Sequence, residues 1–231
     1  TEEYNGTAWA AATAFPAATY GAGGTGTVNA GLVSGGYNNA YTTDVKEYDG
    51  SSWSNGGSLS GARGLAASVG TQNDTVFIAG LGSGYCSSTE EYNGTAWASG
   101  TSAPSGNIAY SCGAGVGAYD ALAMGGYAPG AYRNYAQKYD GIAWTNCEYI
   151  PVNTVSVGSV GGVFGGGSAG NSSNAALFFG GAIGPGLYLG CTWGFEETNL
   201  GLWKGVWSAG QVLTNSRGRT SGTGVQNAGM L

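Results

Sequence analysis

Apolar and polar positions along this chain follow no helical period. Thr75–Ala79 (TVFIA) is apolar almost without interruption, the pattern of a strand covered on both faces. Gly64–Val69, just before it, reads as a short strand of small residues. Thr89–Tyr92 and Thr95–Ala98 flank Asn93-Gly94, a signal for a hairpin with a two-residue type I′ turn. Such a turn pairs Tyr92 with Thr95 and Glu90 with Trp97. It then sets Tyr92 and Trp97 diagonally on one face, within aromatic reach. Gly every few residues works against a helix anywhere, so the stretch from Ser54 to Trp97 reads as an all-β unit.

That unit recurs. Thr1–Trp9 (TEEYNGTAW) is repeated letter for letter at Thr89–Trp97, and VKEYDGSSW at Val45–Trp53 and AQKYDGIAW at Ala136–Trp144 are further copies. Trp9, Trp53, Trp97 and Trp144 are spaced by 44, 44 and 47 residues. A degraded copy begins at Glu196-Glu197-Thr198-Asn199 and closes at Trp207. Gly26–Gly36 aligns without gaps on Gly70–Gly80, and Trp207–Leu231 on Trp53–Phe77, pairing Leu213 with Leu59 and Arg217 with Arg63. A tandem all-β unit of this length fits one blade of a propeller. Small-residue strands suit the crowded centre, and the Tyr/Trp hairpins suit the outside, where blades diverge.

Composition narrows the function. Gly supplies 47 of 231 residues, a level that without a period would suggest low complexity. There are 13 acidic residues, 7 basic ones and no His. So little positive charge argues against nucleic acid and against an anionic membrane surface. Gly, Ser and Asn interrupt every apolar run, so no segment reads as a membrane insertion. The chain opens without Met or a signal-peptide pattern, so its N-terminus is expected to be processed, excised or incompletely recorded.

The chemistry-bearing motifs are thin. Gly21-x-Gly23-x-x-Gly26 matches a dinucleotide fingerprint, but no helix follows it. Asp49-Gly50-Ser51-Ser52-Trp53 lacks the residue that separates Asp from Gly in the Asp box of sialidase propellers, and reads as a hairpin. Without His there is no His-based triad, and most zinc sites are excluded. Cys86, Cys112, Cys147 and Cys191 show no C-x-x-C spacing and are expected to be reduced. Glu2, Glu3, Glu47, Glu90, Glu91, Glu196 and Glu197 all precede a hairpin turn. They suit an exposed strand carrying charge against edge-to-edge pairing better than a set of cation sites. Arg63 and Arg217 share one repeat position and are candidates to pair with them.

An apolar Gly-rich strand, a Gly-Gly step (Gly35-Gly36, Gly125-Gly126, Gly180-Gly181), then Tyr and then Trp resembles the kelch motif, with a shorter Tyr-to-Trp step than most kelch repeats. The EYNGTxW form, at Glu3–Trp9 and Glu91–Trp97, is similar to repeats of predicted structural proteins of marine bacteriophages. The resemblance implies one five-bladed kelch-like β-propeller of four-stranded blades. Its units would run about 13–53, 57–97, 101–144 and 148–207. The fifth would be shared between 211–231 and 1–9, closing the ring. Tyr4, Trp9, Tyr48, Trp53, Tyr92, Trp97, Tyr139, Trp144 and Trp207 are then structural. Kelch-like galactose oxidase needs His for its copper, so that chemistry is not expected, nor any cofactor or metal.

The stretch from about 183 to 206 departs most from the repeat and is expected to be an insertion. Its Tyr188, Trp193 and Trp203 are the candidate ligand-binding residues, because sugars stack on such rings. The expected function is non-enzymatic: a phage head, tail or fibre component at a virion surface or outside the cell. Its partners would be other virion proteins, copies of itself, or a host-surface glycan. A cellular lectin-like propeller and a purely structural repeat module are the alternatives.

Overall fold

The computed structural model describes residues 1–151, 167–172, 174–179, 182–184, 187–188, 192–196 and 206–209. Among them every regular element is a strand. The N-terminal hairpin is β1 (Glu2–Tyr4) and β2 (Trp9–Ala11). The first four-stranded sheet holds β3 (Gly23–Thr27), β4 (Ala30–Ser34), β5 (Val45–Tyr48) and β6 (Trp53–Asn55). The second holds β7 (Ala67–Thr71), β8 (Asp74–Leu81), β9 (Tyr85–Tyr92) and β10 (Trp97–Gly100).

In the third sheet, β11 (Cys112–Gly117) and β12 (Asp120–Met124) are followed by a small hairpin, β13 (Tyr127–Ala128) and β14 (Ala131–Tyr132). The sheet resumes with β15 (Ala136–Tyr139) and β16 (Trp144–Asn146). The fourth repeats that plan. It has β17 (Gly167–Ser172), β18 (Ala175–Phe179), the hairpin β19 (Ala182–Gly184) and β20 (Leu187–Tyr188), then β21 (Thr192–Glu196) and β22 (Val206–Ala209). Each four-stranded sheet is an antiparallel meander in chain order.

Consecutive sheets adjoin through their first strands: β3 lies beside β7, β7 beside β11 and β11 beside β17. Small residues permit this approach. A Cβ on Gly113 would stand 2.4 Å from Val69 Cγ2, and one on Gly23 2.7 Å from Phe77 Cε2. Three apolar layers fill the spaces between sheets. Leu32, Val45, Leu59, Phe77 and Tyr92 lie between the first and second. Val69, Val76, Ile78, Ile108 and Tyr139 belong to the layer between the second and third. Leu122, Met124, Ile150, Phe178 and Phe195 belong to the next. The uninterrupted run Thr75–Ala79 is buried throughout, because Phe77 enters one layer while Val76 and Ile78 enter the other. Burying such side chains supplies about 1.5–3 kcal/mol each.

The hairpins differ from the two-residue turn that Asn-Gly suggests. Tyr92 pairs directly with Trp97, across a four-residue loop. Asn93 Oδ1 accepts from Thr95 N and Ala96 N, each at 3.0 Å. Gly94 has φ +86, whereas Asn93 is not among the left-handed residues, so the I′ geometry, which needs both, is not formed. Asn5, Asp49 and Asp140 make the same side-chain-to-backbone turn. The Ser52 amide, foremost, holds Asp49 well below the usual carboxylate range, and the Ala143 amide, foremost, lowers Asp140. Direct pairing brings the rings together at 4.7–5.2 Å in Tyr4–Trp9, Tyr48–Trp53, Tyr92–Trp97 and Tyr139–Trp144.

The stretch 183–206 is not a single insertion. β21 takes the third place in its sheet, between β18 and β22, as β15 does between β12 and β16. Its sequence TWGFE sends Phe195 into the core and keeps the ladder with β18 continuous from Ala175 to Phe179.

Candidate functional site: a tyrosine-lined loop edge

The connections between second and third strands, and those between sheets, gather at one edge of the molecule. Tyr20 and Tyr37 exchange backbone hydrogen bonds across this edge, at 3.2 and 2.9 Å, and Tyr37 also bridges to Tyr41. Their rings follow: Tyr20–Tyr37 and Tyr37–Tyr41 both lie at 5.1 Å. Further along, Tyr127 contacts Tyr85 at 5.9 Å and Tyr132 at 5.3 Å. Tyr135 meets Tyr149 at 5.7 Å, with the Arg133 guanidinium over its ring.

The Tyr41 and Tyr85 clusters lie close enough for their phenols to influence one another. Burial raises the Tyr41 phenol above its ordinary value, and the phenols of Tyr110, Tyr20, Tyr37 and Tyr85 add to the shift. Burial likewise raises Tyr85, with Tyr127 and Tyr110 contributing. The hydroxyls of Tyr41 and Tyr85 therefore stay protonated at neutral pH, each a donor and an acceptor.

A backbone relay holds this edge. Gly21, Leu65 and Tyr110 occupy corresponding places before the first strands of consecutive sheets, all left-handed, with φ +66, +56 and +61. Leu65 N donates to Gly21 O and Tyr110 N to Leu65 O, each at 2.6 Å. A left-handed backbone costs a non-glycine residue roughly 1–2 kcal/mol, and such residues gather where structure serves a task.

Chemically, the edge offers flat apolar rings that order at low entropic cost, with hydroxyls at their rims. Among the described residues, no three His, Cys, Asp or Glu side chains gather as metal ligands, and no helix is long and apolar enough to cross a membrane.

Of the ligand-binding candidates singled out in the sequence, Tyr188 and Trp193 fall within the described part of the chain. The Tyr188 backbone is in β20, paired with Ala182, a place corresponding to Tyr132 in β14. Trp193 is half-buried against the core layer of Phe178 and Phe195, and its indole N–H has no hydrogen-bond partner. Trp203 lies outside the described residues, as do Cys191, Arg217 and 211–231. Among the described residues, Cys86, Cys112 and Cys147 form no disulfide with one another.

The repeated Tyr and Glu form bonds that the sequence did not suggest. Tyr48 Oη donates to Glu3 and Tyr92 Oη to Glu47, both at 2.6 Å, and Tyr139 Oη to Glu91 at 2.5 Å. Glu3, Glu47 and Glu91 each precede a Tyr in their strand and so point to the opposite face. Each of the three therefore meets the next unit's Tyr. The signal for the tyrosine edge itself was the 44-residue offset between Tyr41 and Tyr85, together with the tyrosines that follow Gly35-Gly36 and Gly125-Gly126.

No protein-family model matches the chain, and none of the curated proteins does. A solved structure, "Structure of YjhT", is similar in fold, with a TM-score of 0.68 at 15% identity, over 90% of this chain and 69% of that one. It is among 164 solved chains that match, so the architecture is widely shared and says nothing of activity.

Proposed function

We infer that the chain is a non-enzymatic kelch-like β-propeller serving in adhesion or structure at a virion surface, and that its tyrosine edge meets neutral host-surface glycans. The observation that carries the binding role is the set of tyrosine ring clusters along one edge, Tyr20–Tyr37–Tyr41 and Tyr85–Tyr127–Tyr132. Propeller architecture is supported by the ungapped repeat, by adjoining first strands and by the structural likeness. Five blades and closure through residues 1–9 are supported by the Tyr48–Glu3 bond. It repeats the bond between consecutive units, as expected if the N-terminal hairpin is the outer half of a unit whose inner half is 211–231. The virion setting rests on the EYNGTxW resemblance.

The test replaces Tyr20, Tyr85 and Tyr132 together by Ser. The triple variant should keep its melting temperature and lose glycan-array signal or host-cell adsorption by about tenfold or more. Unchanged binding would remove the edge as the site. Hydrolysis of a polysaccharide by the purified wild-type chain would refute the non-enzymatic assignment.

A further inference from the structure

One internal position is filled differently in each of three units. In the second, Arg63 and Glu90 form a buried ion pair. Arg63 Nε donates to Ala79 O at 3.1 Å and Nη1 to Gly61 O at 3.4 Å. Ser60 N donates to Glu90 Oε2 at 2.8 Å. In the third unit the corresponding residues are Ile108 and Gln137, both buried. Gln137 Oε1 receives Ser105 N at 3.1 Å, as Glu90 receives Ser60 N. Backbone bonds fix the equivalence: Arg63 N donates to Thr42 O, and Ile108 N to Cys86 O.

The first unit aligns on the second without gaps at an offset of 44, which sets Thr19 at the place of Arg63 and Lys46 at that of Glu90. Thr19 is too short to fill the space. A pocket of about 280 Å³ opens there, and its lining includes Ala17, Thr19, Gly35 and Lys46. Ala17 and Gly35 are the counterparts of Gly61 and Ala79, whose carbonyls Arg63 occupies. The pocket is thus the vacated arginine site.

Its remaining walls indicate the occupant. Phe15 and Tyr41 supply rings, and Asn38, Thr42 and Asp44 supply polar groups. Asn55 Oδ1 anchors the Lys46 ammonium at 2.5 Å, leaving its other hydrogens to donate. One acid and one base line the space, so a ligand carrying net charge would oppose one of them. A neutral polyol satisfies both, donating to Asp44 and accepting from Lys46, while an apolar ring face lies on Tyr41 or Phe15. The volume is just under the ~300 Å³ where ordinary ligand pockets begin, which limits the occupant to about one sugar ring. We propose that the vacated arginine site of the first unit binds a single neutral pyranose unit. This rests on the glycan-binding function above and assigns it a terminal-sugar subsite beside the tyrosine edge.

The chain itself supplies two ways to fill the pocket. T19R/K46E copies the second unit and T19I/K46Q copies the third. Binding of methyl glycosides of neutral hexoses to the intact chain is followed by ligand-observed NMR and calorimetry, with methyl glucuronide and glucosamine as charged controls. The wild type should bind a neutral glycoside saturably. Whichever filling variant retains the parental melting temperature should bind about tenfold more weakly or worse, and the tyrosine triple variant should still bind it. No neutral glycoside bound by the wild type, or only the charged controls bound, overturns the proposal. So does unchanged glycoside binding in a folded filling variant. If that variant also keeps host-cell adsorption, the subsite fails while the tyrosine edge stands.

Discussion

The first and second sheets are built on the same 44-residue frame, yet one is hollow where the other is locked. In the second, a guanidinium and a carboxylate, both buried, tie the incoming linker to β8 and β9. In the first, Thr19 leaves the equivalent space open, and Thr19 Oγ1 turns back to Ala17 O at 3.2 Å. The backbone hardly registers the exchange: Gly35 and its counterpart Ala79 are both left-handed, at φ +61 and +59. The ladder bonds and apolar layers therefore define the unit. The interior polar position is left free to vary, as a lock in one copy and as a pocket in another.

The sharpest test breaks the lock. Glu90→Ala would leave Arg63 buried without its counter-charge, with Nη2 already lacking a partner. The expected cost is about 3–5 kcal/mol, read by urea denaturation. R63I/E90Q, which copies the third unit, should fall within about 1–2 kcal/mol of the parent, because removing both charges leaves no uncompensated buried ion and Gln can still accept Ser60 N. A double variant as unstable as the single one would show that the second unit depends on the pair in a way the third does not.

The repeat was legible because identical hairpins must recur wherever identical units pack. The Tyr/Trp positions and the doubly covered strand Thr75–Ala79 follow from that recurrence. The small-residue character of the first strands was legible for the same reason. The hairpin geometry was not, because Asn-Gly suits two turn types and the side-chain bonds of Asn93 decided between them. Trp193 looked available because its segment breaks the hairpin spacing. In the fold, β21 keeps its ladder and draws the indole against Phe178 and Phe195. The pocket was hidden for a different reason. It arises from a residue the first unit lacks, and only the Arg63 contacts in the second unit show what Thr19 leaves empty.

A smaller effect separates the hairpin tryptophans. Trp97 is half-buried against the layer between the first two sheets, and its Nε1 donates to Gly57 O at 2.8 Å. Trp9 is 62% exposed. Trp97→Ala should cost about 2–3 kcal/mol, less than the 3–5 of a fully buried indole. Trp9→Ala should cost under about 1 kcal/mol. Equal losses in a chemical denaturation series would mean that the N-terminal hairpin is packed as tightly as the second sheet.

The smallest effect lies in the Tyr–Glu bonds between units and shows only at alkaline pH. Tyr48 and Tyr139 are both pushed up to about 12, but for different leading reasons. The hydrogen bond to Glu3 is foremost for Tyr48, while burial is foremost for Tyr139, ahead of its bond to Glu91. In the unfolded chain both titrate near the ordinary tyrosine value of about 10. The folded state therefore holds these protons more tightly. The stability they contribute is complete below about pH 10 and is lost as pH rises through about 12. Glu3→Gln keeps an acceptor but removes the charge, so Tyr48 should move well back toward 10. Glu91→Gln should move Tyr139 less, because burial persists. Tyrosine-ring carbon shifts followed by NMR from pH 9 to 12 would check this. A larger shift at Tyr139 than at Tyr48 would show that the hairpin interface is the drier of the two and reverse the ranking.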